Sequence, residues 1–312
     1  MGEKMKTAIL FPGQGAQTVG MGKDLAEAFP MAKAIFDRAN AVLGYDLAQI
    51  CFEGPGEKLT QSCFTQPGIF VVSLAALAAL KQLKPGVEFV AAAGLSSGEW
   101  TALHLAGVVS FEDTLKILEV RGKAMQAACE ERPGTMMSVI GADPALLAKI
   151  AQESGIEQAN FNSPEQTVLS GTKAGIDAAE SALKAAGVRK AIRLNVAGAF
   201  HSVLMASAAK KLEEALAGIA FHAPQWPVIS NVTGQFHTTP DEIRKLMVRQ
   251  VTGSVQWVAG IQRLQAEGVQ AFLECGPGKV LTGLVKRIDK QAALYNISDR
   301  ASLEAVAASL AS

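Results

Sequence analysis

Apolar positions in this chain follow two regimes. Short continuous runs bounded by glycine or proline alternate with longer stretches in which apolar residues recur every three or four positions. The first kind reads as a strand buried on both faces, the second as a helix with one buried side. Residues 7–11 form the first run, followed by the turn Pro12-Gly13-Gln14-Gly15. Helical patterns follow at 21–28 and 31–43, and Gln66-Pro67 opens a long apolar helix to residue 83. The run 89–93 predicts a strand leading into a helix over 100–105. Ser110, with Asp113 three positions on, predicts an N-cap for a helix to residue 129. Strands alternating with helices predict a parallel sheet covered on both faces.

The pattern changes after Pro133-Gly134. A strand at 136–140, a helix at 144–154, strands at 156–162 and 166–170, a helix at 176–186 and a strand at 188–196 give the order β-α-β-β-α-β. That order is the ferredoxin-like unit. The alternating pattern then resumes, with a helix at 202–217, a strand at 228–231, a helix at 239–251, a strand at 271–275 and the turn Gly276-Pro277-Gly278 before a further helix. The expectation is a large discontinuous domain, residues 1–132 and 198–312, with a small domain inserted at 133–197.

Composition narrows the function classes. With 29 basic and 29 acidic residues the formal net charge is zero, which argues against a nucleic-acid or membrane-surface partner. The cysteines, Cys51, Cys63, Cys129 and Cys275, have no metal-binding or disulfide spacing, so no metal site is expected. The charged N-terminus, residues 1–6, reads as neither a signal peptide nor a spanning segment, and Met5 is a candidate natural start. The expected location is a reducing cytoplasm, where the sequons at Asn231 and Asn296 carry no meaning.

Candidate chemistry centres on Gly94-Leu95-Ser96-Ser97-Gly98-Glu99. A G-x-S-x-G between a strand and a helix is either a glycine-rich loop or a nucleophile elbow, with Ser96 at its centre. A serine nucleophile needs a base, and the chain has four histidines. His104 lies about 12 Å along the elbow helix, out of reach. His222 and His237 fall in connecting segments. His201 falls at the junction of the small domain with the next helix, where a cleft would form; it is either a base or a buried structural histidine. The helix N-terminus after it favours the neutral imidazole. The N–H of Ser97 and the loop Gly13-Gln14-Gly15 are candidate oxyanion donors. Thr18 stands where a dinucleotide fingerprint needs its third glycine. Arg121 lies on or beside the buried stripe of its helix, so it meets either an internal carboxylate or that of a substrate.

These motifs together resemble the malonyl-CoA:acyl carrier protein transacylases. The resemblance rests on Phe11 to Gly15, Gly94 to Glu99, Arg121-Gly122, Asn160 to Gln166, Phe200 to Met205 and Glu274 to Lys279, in the family's order along nearly the whole chain. It implies an α/β fold: an α/β-hydrolase-like large domain with a mostly parallel sheet and an inserted ferredoxin-like small domain. It implies Ser96 as nucleophile, His201 as base, the N–H groups of Gln14 and Ser97 as oxyanion hole, and Arg121 on the malonyl carboxylate. By the same resemblance the Gln250 backbone carbonyl orients the histidine, and Asn160 and Asn162 border the cleft. Leu95, Met125 and Phe200 are expected to wall the acyl pocket. The family usually has His where Leu95 stands and often Leu where Ser97 stands, and Trp100 replaces the usual Tyr.

The activity implied is transfer of malonyl from malonyl-CoA to the phosphopantetheine thiol of acyl carrier protein, with no cofactor. A monomer is expected, and a basic rim, with Lys190, Arg193, Lys286 and Arg287 as candidates, to receive the acidic carrier. The competing functions are service to a polyketide or polyunsaturated-lipid synthase, a serine esterase or thioesterase, and a non-catalytic acyl-binding module.

Overall fold

The structure, a computed structural model, describes residues 5–309. Part of the charged N-terminal segment, residues 1–4, and the last three residues lie outside it. The elements are β1 (Thr7–Phe11), α1 (Lys23–Ala28), α2 (Pro30–Leu43), α3 (Leu47–Glu53), α4 (Gly56–Leu59), α5 (Ser62–Leu83), β2 (Ala91–Gly94), α6 (Gly98–Leu105) and α7 (Phe111–Glu131). Then come β3 (Gly134–Ile140), α8 (Pro144–Glu153), β4 (Glu157–Ser163), β5 (Gln166–Thr172), α9 (Lys173–Ala185) and β6 (Lys190–Arg193). A 3-10 turn (Val203–Met205) leads to α10 (Ala206–Leu216), α11 (Pro240–Arg249), α12 (Trp257–Ala266), β7 (Ala271–Cys275), α13 (Val280–Ile288), β8 (Ala293–Ile297) and α14 (Arg300–Ser309).

The fold is α/β with two separate sheets. One is parallel, in the order β2-β1-β7-β8; the other is antiparallel, in the order β4-β5-β3-β6. The central strands β1 and β7 are almost wholly buried, which is why they read as mainly apolar runs, interrupted in β7 by the buried Glu274. The antiparallel sheet has its own core, with Met137, Val139, Ile150, Leu169, Ile176 and Leu183 packed between its strands and α8 and α9. The two units are tied by backbone: Val255 N donates to Ala159 O at 2.8 Å, and Phe161 N donates to Val255 O at 2.9 Å.

Helix α5 is long and apolar enough to cross a membrane by composition, yet 83% of its most apolar window is buried inside the fold. It starts at Ser62, four residues before the expected Gln66-Pro67. Pro67 lies within the helix, because burial of the surrounding face outweighs the one backbone hydrogen bond that proline cannot donate. The strand expected at 228–231 is instead an isolated parallel bridge, Ala92 to Val228, beside β2. Pro227 has no N–H to extend that ladder, and the chain turns back immediately through an Ile229–Phe236 bridge. The strand expected at 188–196 is confined to β6, and the helix expected from 202 begins as the 3-10 turn.

Candidate active site

The elbow forms where β2 ends and α6 begins. Ser96 sits at φ 55°, in the left-handed region that a non-glycine residue adopts only under constraint. The flanking glycines make the turn possible. A Cβ on Gly94 would lie 2.0 Å from the carbonyl carbon of Gly98, and one on Gly98 would lie 2.2 Å from the Phe11 carbonyl oxygen. Asn231 staples the turn from the far side: its Nδ2 donates to Gly94 O and its Oδ1 accepts from Ser96 N, both at 2.7 Å. Buried there, Asn231 is closed to the sequon's enzyme.

His201, also at positive φ (56°), places Nε2 2.8 Å from Ser96 Oγ. Its Nδ1 lies 2.8 Å from the Gln250 carbonyl oxygen. A carbonyl only accepts, so the ring proton sits on Nδ1 and Nε2 is left as the acceptor for the serine hydroxyl. Burial pushes the imidazole down to about 4, assisted by the Arg121 charge and opposed by hydrogen bonds to backbone at Gln250 and Gly253. The imidazole is therefore neutral, as the sequence predicts, but burial and Arg121 cause it rather than a helix N-terminus.

Arg121, on α7, is 1% exposed. Among the described residues no carboxylate forms an ion pair with it. Nη1 donates to Gln66 Oε1 at 2.7 Å, and Nη2 donates to Gln250 Oε1 at 2.9 Å and to Ser96 Oγ at 3.3 Å. Desolvation lowers its pKa to about 10, opposed by the Glu99 charge, so it remains a cation at neutral pH. Helix α7 comes this close to α5 because Gly122 has no side chain; a Cβ there would lie 2.3 Å from the Ser62 carbonyl oxygen.

The loop after β1 rests on the elbow. A Cβ on Gly13 would lie 2.2 Å from Leu95 O. Gln17 Oε1 accepts from Gly15 N at 2.7 Å and fixes the loop. Among the described residues, the N–H groups of Gln14 and Ser97 have no backbone acceptor. A cavity of about 600 Å³ opens between the two sheets. Gln14, Leu95, Ser96, Arg121, Met125 and His201 line it, and so do Phe200, Asn160 and Asn162. Ser97 and Gln250 are buried beside it.

Residues 9–308 match the acyl transferase domain family. The malonyl CoA-acyl carrier protein transacylase of Escherichia coli (strain K12) is 44% identical over 285 residues, which is 90% of this chain and 92% of that protein. The chain belongs to the malonyl CoA-acyl carrier protein transacylase family. The transacylase structure from Clostridium perfringens superposes with a TM-score of 0.94 at 39% identity, covering 98% of this chain and 97% of that one. A malonyl-transacylase solved in complex with a type II polyketide-synthase acyl-carrier protein superposes with a TM-score of 0.93 at 39% identity, covering 97% and 99%.

Four further residues around this transacylase site carry no expected role from the sequence: Gln66, Glu99, Asn231 and His237. Each is a polar side chain buried in the fold. No local pattern marks that burial, although Glu99 closes the motif Gly94 to Glu99.

Proposed function

We propose that this chain transfers a malonyl group from malonyl-CoA to the phosphopantetheine thiol of acyl carrier protein through a malonyl ester on Ser96. The observation that carries the proposal is the Ser96–His201 contact with an unpaired, buried Arg121 beside it. Ser96 Oγ accepts from Arg121 and gives its proton to His201 Nε2 as it attacks the thioester carbon. The N–H groups of Gln14 and Ser97 receive the oxyanion. The carbon–sulfur bond breaks, and His201 returns the proton to the departing CoA thiolate. The carrier thiol then gives its proton to His201, its sulfur attacks the ester carbonyl, and the Ser96 oxygen leaves with that proton. The Gln250 carbonyl holds the imidazole tautomer throughout, so no acidic third member is required and no cofactor enters. Arg121 binds the free carboxylate of the acyl group. Leu95, Met125 and Phe200 wall the acyl site, with Phe200 against the acyl α-carbon, and Asn160 and Asn162 border its mouth.

The domain division proposed is an α/β-hydrolase-like unit, 1–132 and 198–312, around a ferredoxin-like unit at 133–197. The strand order β4-β5-β3-β6 and the separate core of those strands support it. One chain supplies every group in the reaction, so the proposed catalytic unit is a monomer; the proposed location is the cytoplasm. The relative solved with a polyketide-synthase carrier favours a second reading, service to such a synthase. Supplying malonyl-CoA with purified carrier proteins of both kinds tests the function. Malonyl-carrier forming faster than free malonate supports transfer, malonate alone marks a thioesterase, and the preferred carrier identifies the pathway.

A further inference from the structure

Behind the nucleophile lies a buried polar cluster that the chemistry above leaves unused. Glu99, in the first turn of α6, and His237, just before α11, have side chains only 1% and 0% exposed. Glu99 Oε1 lies 2.7 Å from His237 Nε2, and Glu99 Oε2 accepts from Gln250 Nε2 at 2.6 Å. The same Gln250 Nε2 donates to Ser96 O at 2.9 Å, while Gln250 Oε1 accepts from Arg121.

Hydrogen-bond capacity decides what this arrangement does. A carboxylate only accepts and a guanidinium only donates. The Gln250 amide between them satisfies both neighbours in one of its two flips and neither in the other. Without Glu99, one amide N–H is left buried with no acceptor, and only the Ser96 carbonyl still opposes the flip. Turned over, the amide presents N–H groups to the guanidinium and loses its hold on Arg121.

We propose that Glu99 is a positioning residue which, acting through the side chain of Gln250, aims the Arg121 guanidinium at the carboxylate of the acyl group. His237 holds the second oxygen of Glu99 and keeps the carboxylate facing Gln250. Selectivity for a dicarboxylic acyl group is thus set partly from behind the elbow, by a residue that never touches substrate. The Glu99 charge also opposes the loss of basicity that burial imposes on Arg121.

This inference rests on the malonyl-transfer function proposed above. Its test is the rate of Ser96 acylation by malonyl-CoA and by acetyl-CoA, measured separately by rapid quench and mass spectrometry. Glu99→Met removes the acceptor at similar volume. It should lower kcat/KM for malonyl-CoA about 10- to 100-fold, mainly through KM, and leave acetyl-CoA within about threefold. Glu99→Gln should restore malonyl transfer. His237 can move its ring proton to Nδ1, which has no protein partner among the described residues, and the introduced amide then donates to His237 while its oxygen stays toward Gln250. In an Arg121→Ala background, Glu99→Met should add no further malonyl loss. If Glu99→Met does not fold, Glu99→Asp, which withdraws the carboxylate by one methylene, reads the same malonyl-to-acetyl ratio. Equal losses on both acyl groups, or additive losses in the Arg121→Ala background, overturn the positioning role while wild-type malonylation upholds the function. A wild-type protein that takes no malonyl on Ser96 overturns the function and this inference together.

Discussion

Arg121 is a buried cation held by two glutamine oxygens, an arrangement that leaves its charge to be met by an incoming anion. Arg121→Ala should cut kcat/KM for malonyl-CoA by about 10- to 100-fold, the size of one charge-assisted contact, while acetyl transfer is kept or rises; steady-state kinetics with both thioesters checks it. His201 gives a pH prediction. Its pKa is about 4 in the fold and near 6.5 when exposed. Between those values the unfolded chain binds more protons, so stability from this residue is complete above about pH 6.5 and is lost as pH falls toward 4. The acid limb of kcat/KM should likewise lie near 4 rather than 6.5, and pH profiles of acylation locate it. Ser96, His201 and Arg121 were legible because their motifs carry chemistry in a few adjacent letters. Gln66, Glu99, Asn231 and His237 were not, because each acts on a partner 52 or more positions away and only folding joins them.

At the scale of elements, the elbow depends on backbone contact between the start of α6 and the end of β1. Gly98→Ala pushes a Cβ to 2.2 Å from Phe11 O. Overpacking of that kind costs about 1–3 kcal/mol, so thermal melts should show a Tm lower by about 2–10 °C, with acylation lost as the turn deforms. The strands β1 and β7 and the helices α7, α8 and α9 were legible because period, caps and breakers agree over their lengths. Ser110 caps α7 by accepting from Asp113 N, the signature its spacing predicts. The start of α5 was not legible, since Pro67 is a start signal locally and a tolerated interior residue once the helix is buried. The segment 228–231 has strand composition, but tertiary pairing limits it to one bridge.

At the scale of the whole molecule, the cavity lies between two sheets joined by the backbone bonds of Ala159, Phe161 and Val255. Hydrogen exchange should protect the Phe161 and Val255 amides as strongly as those of β1; fast exchange would mean that the antiparallel unit opens freely. The expected basic rim needs correction. Arg193 is engaged by Asp177 and Glu180, so its charge is already met, whereas Lys286 and Arg287 lie in the last turn of α13, whose Val280 and Leu284 line the cavity. Reversing Lys286 and Arg287 to Glu should raise KM for carrier protein, and the same change at Arg193 should not. The parallel sheet was legible from its alternating strands and helices, and a separate group of strands from the changed order after Pro133; the backbone pairing through Val255 was not, because it joins segments almost a hundred residues apart. The central claim, a malonyl ester on Ser96, is tested most directly by intact-protein and peptide mass spectrometry after mixing with malonyl-CoA. One malonyl unit on the Ser96 peptide, absent in Ser96→Ala and formed far more slowly in His201→Ala, is the predicted result; no adduct, or one on another residue, would contradict it.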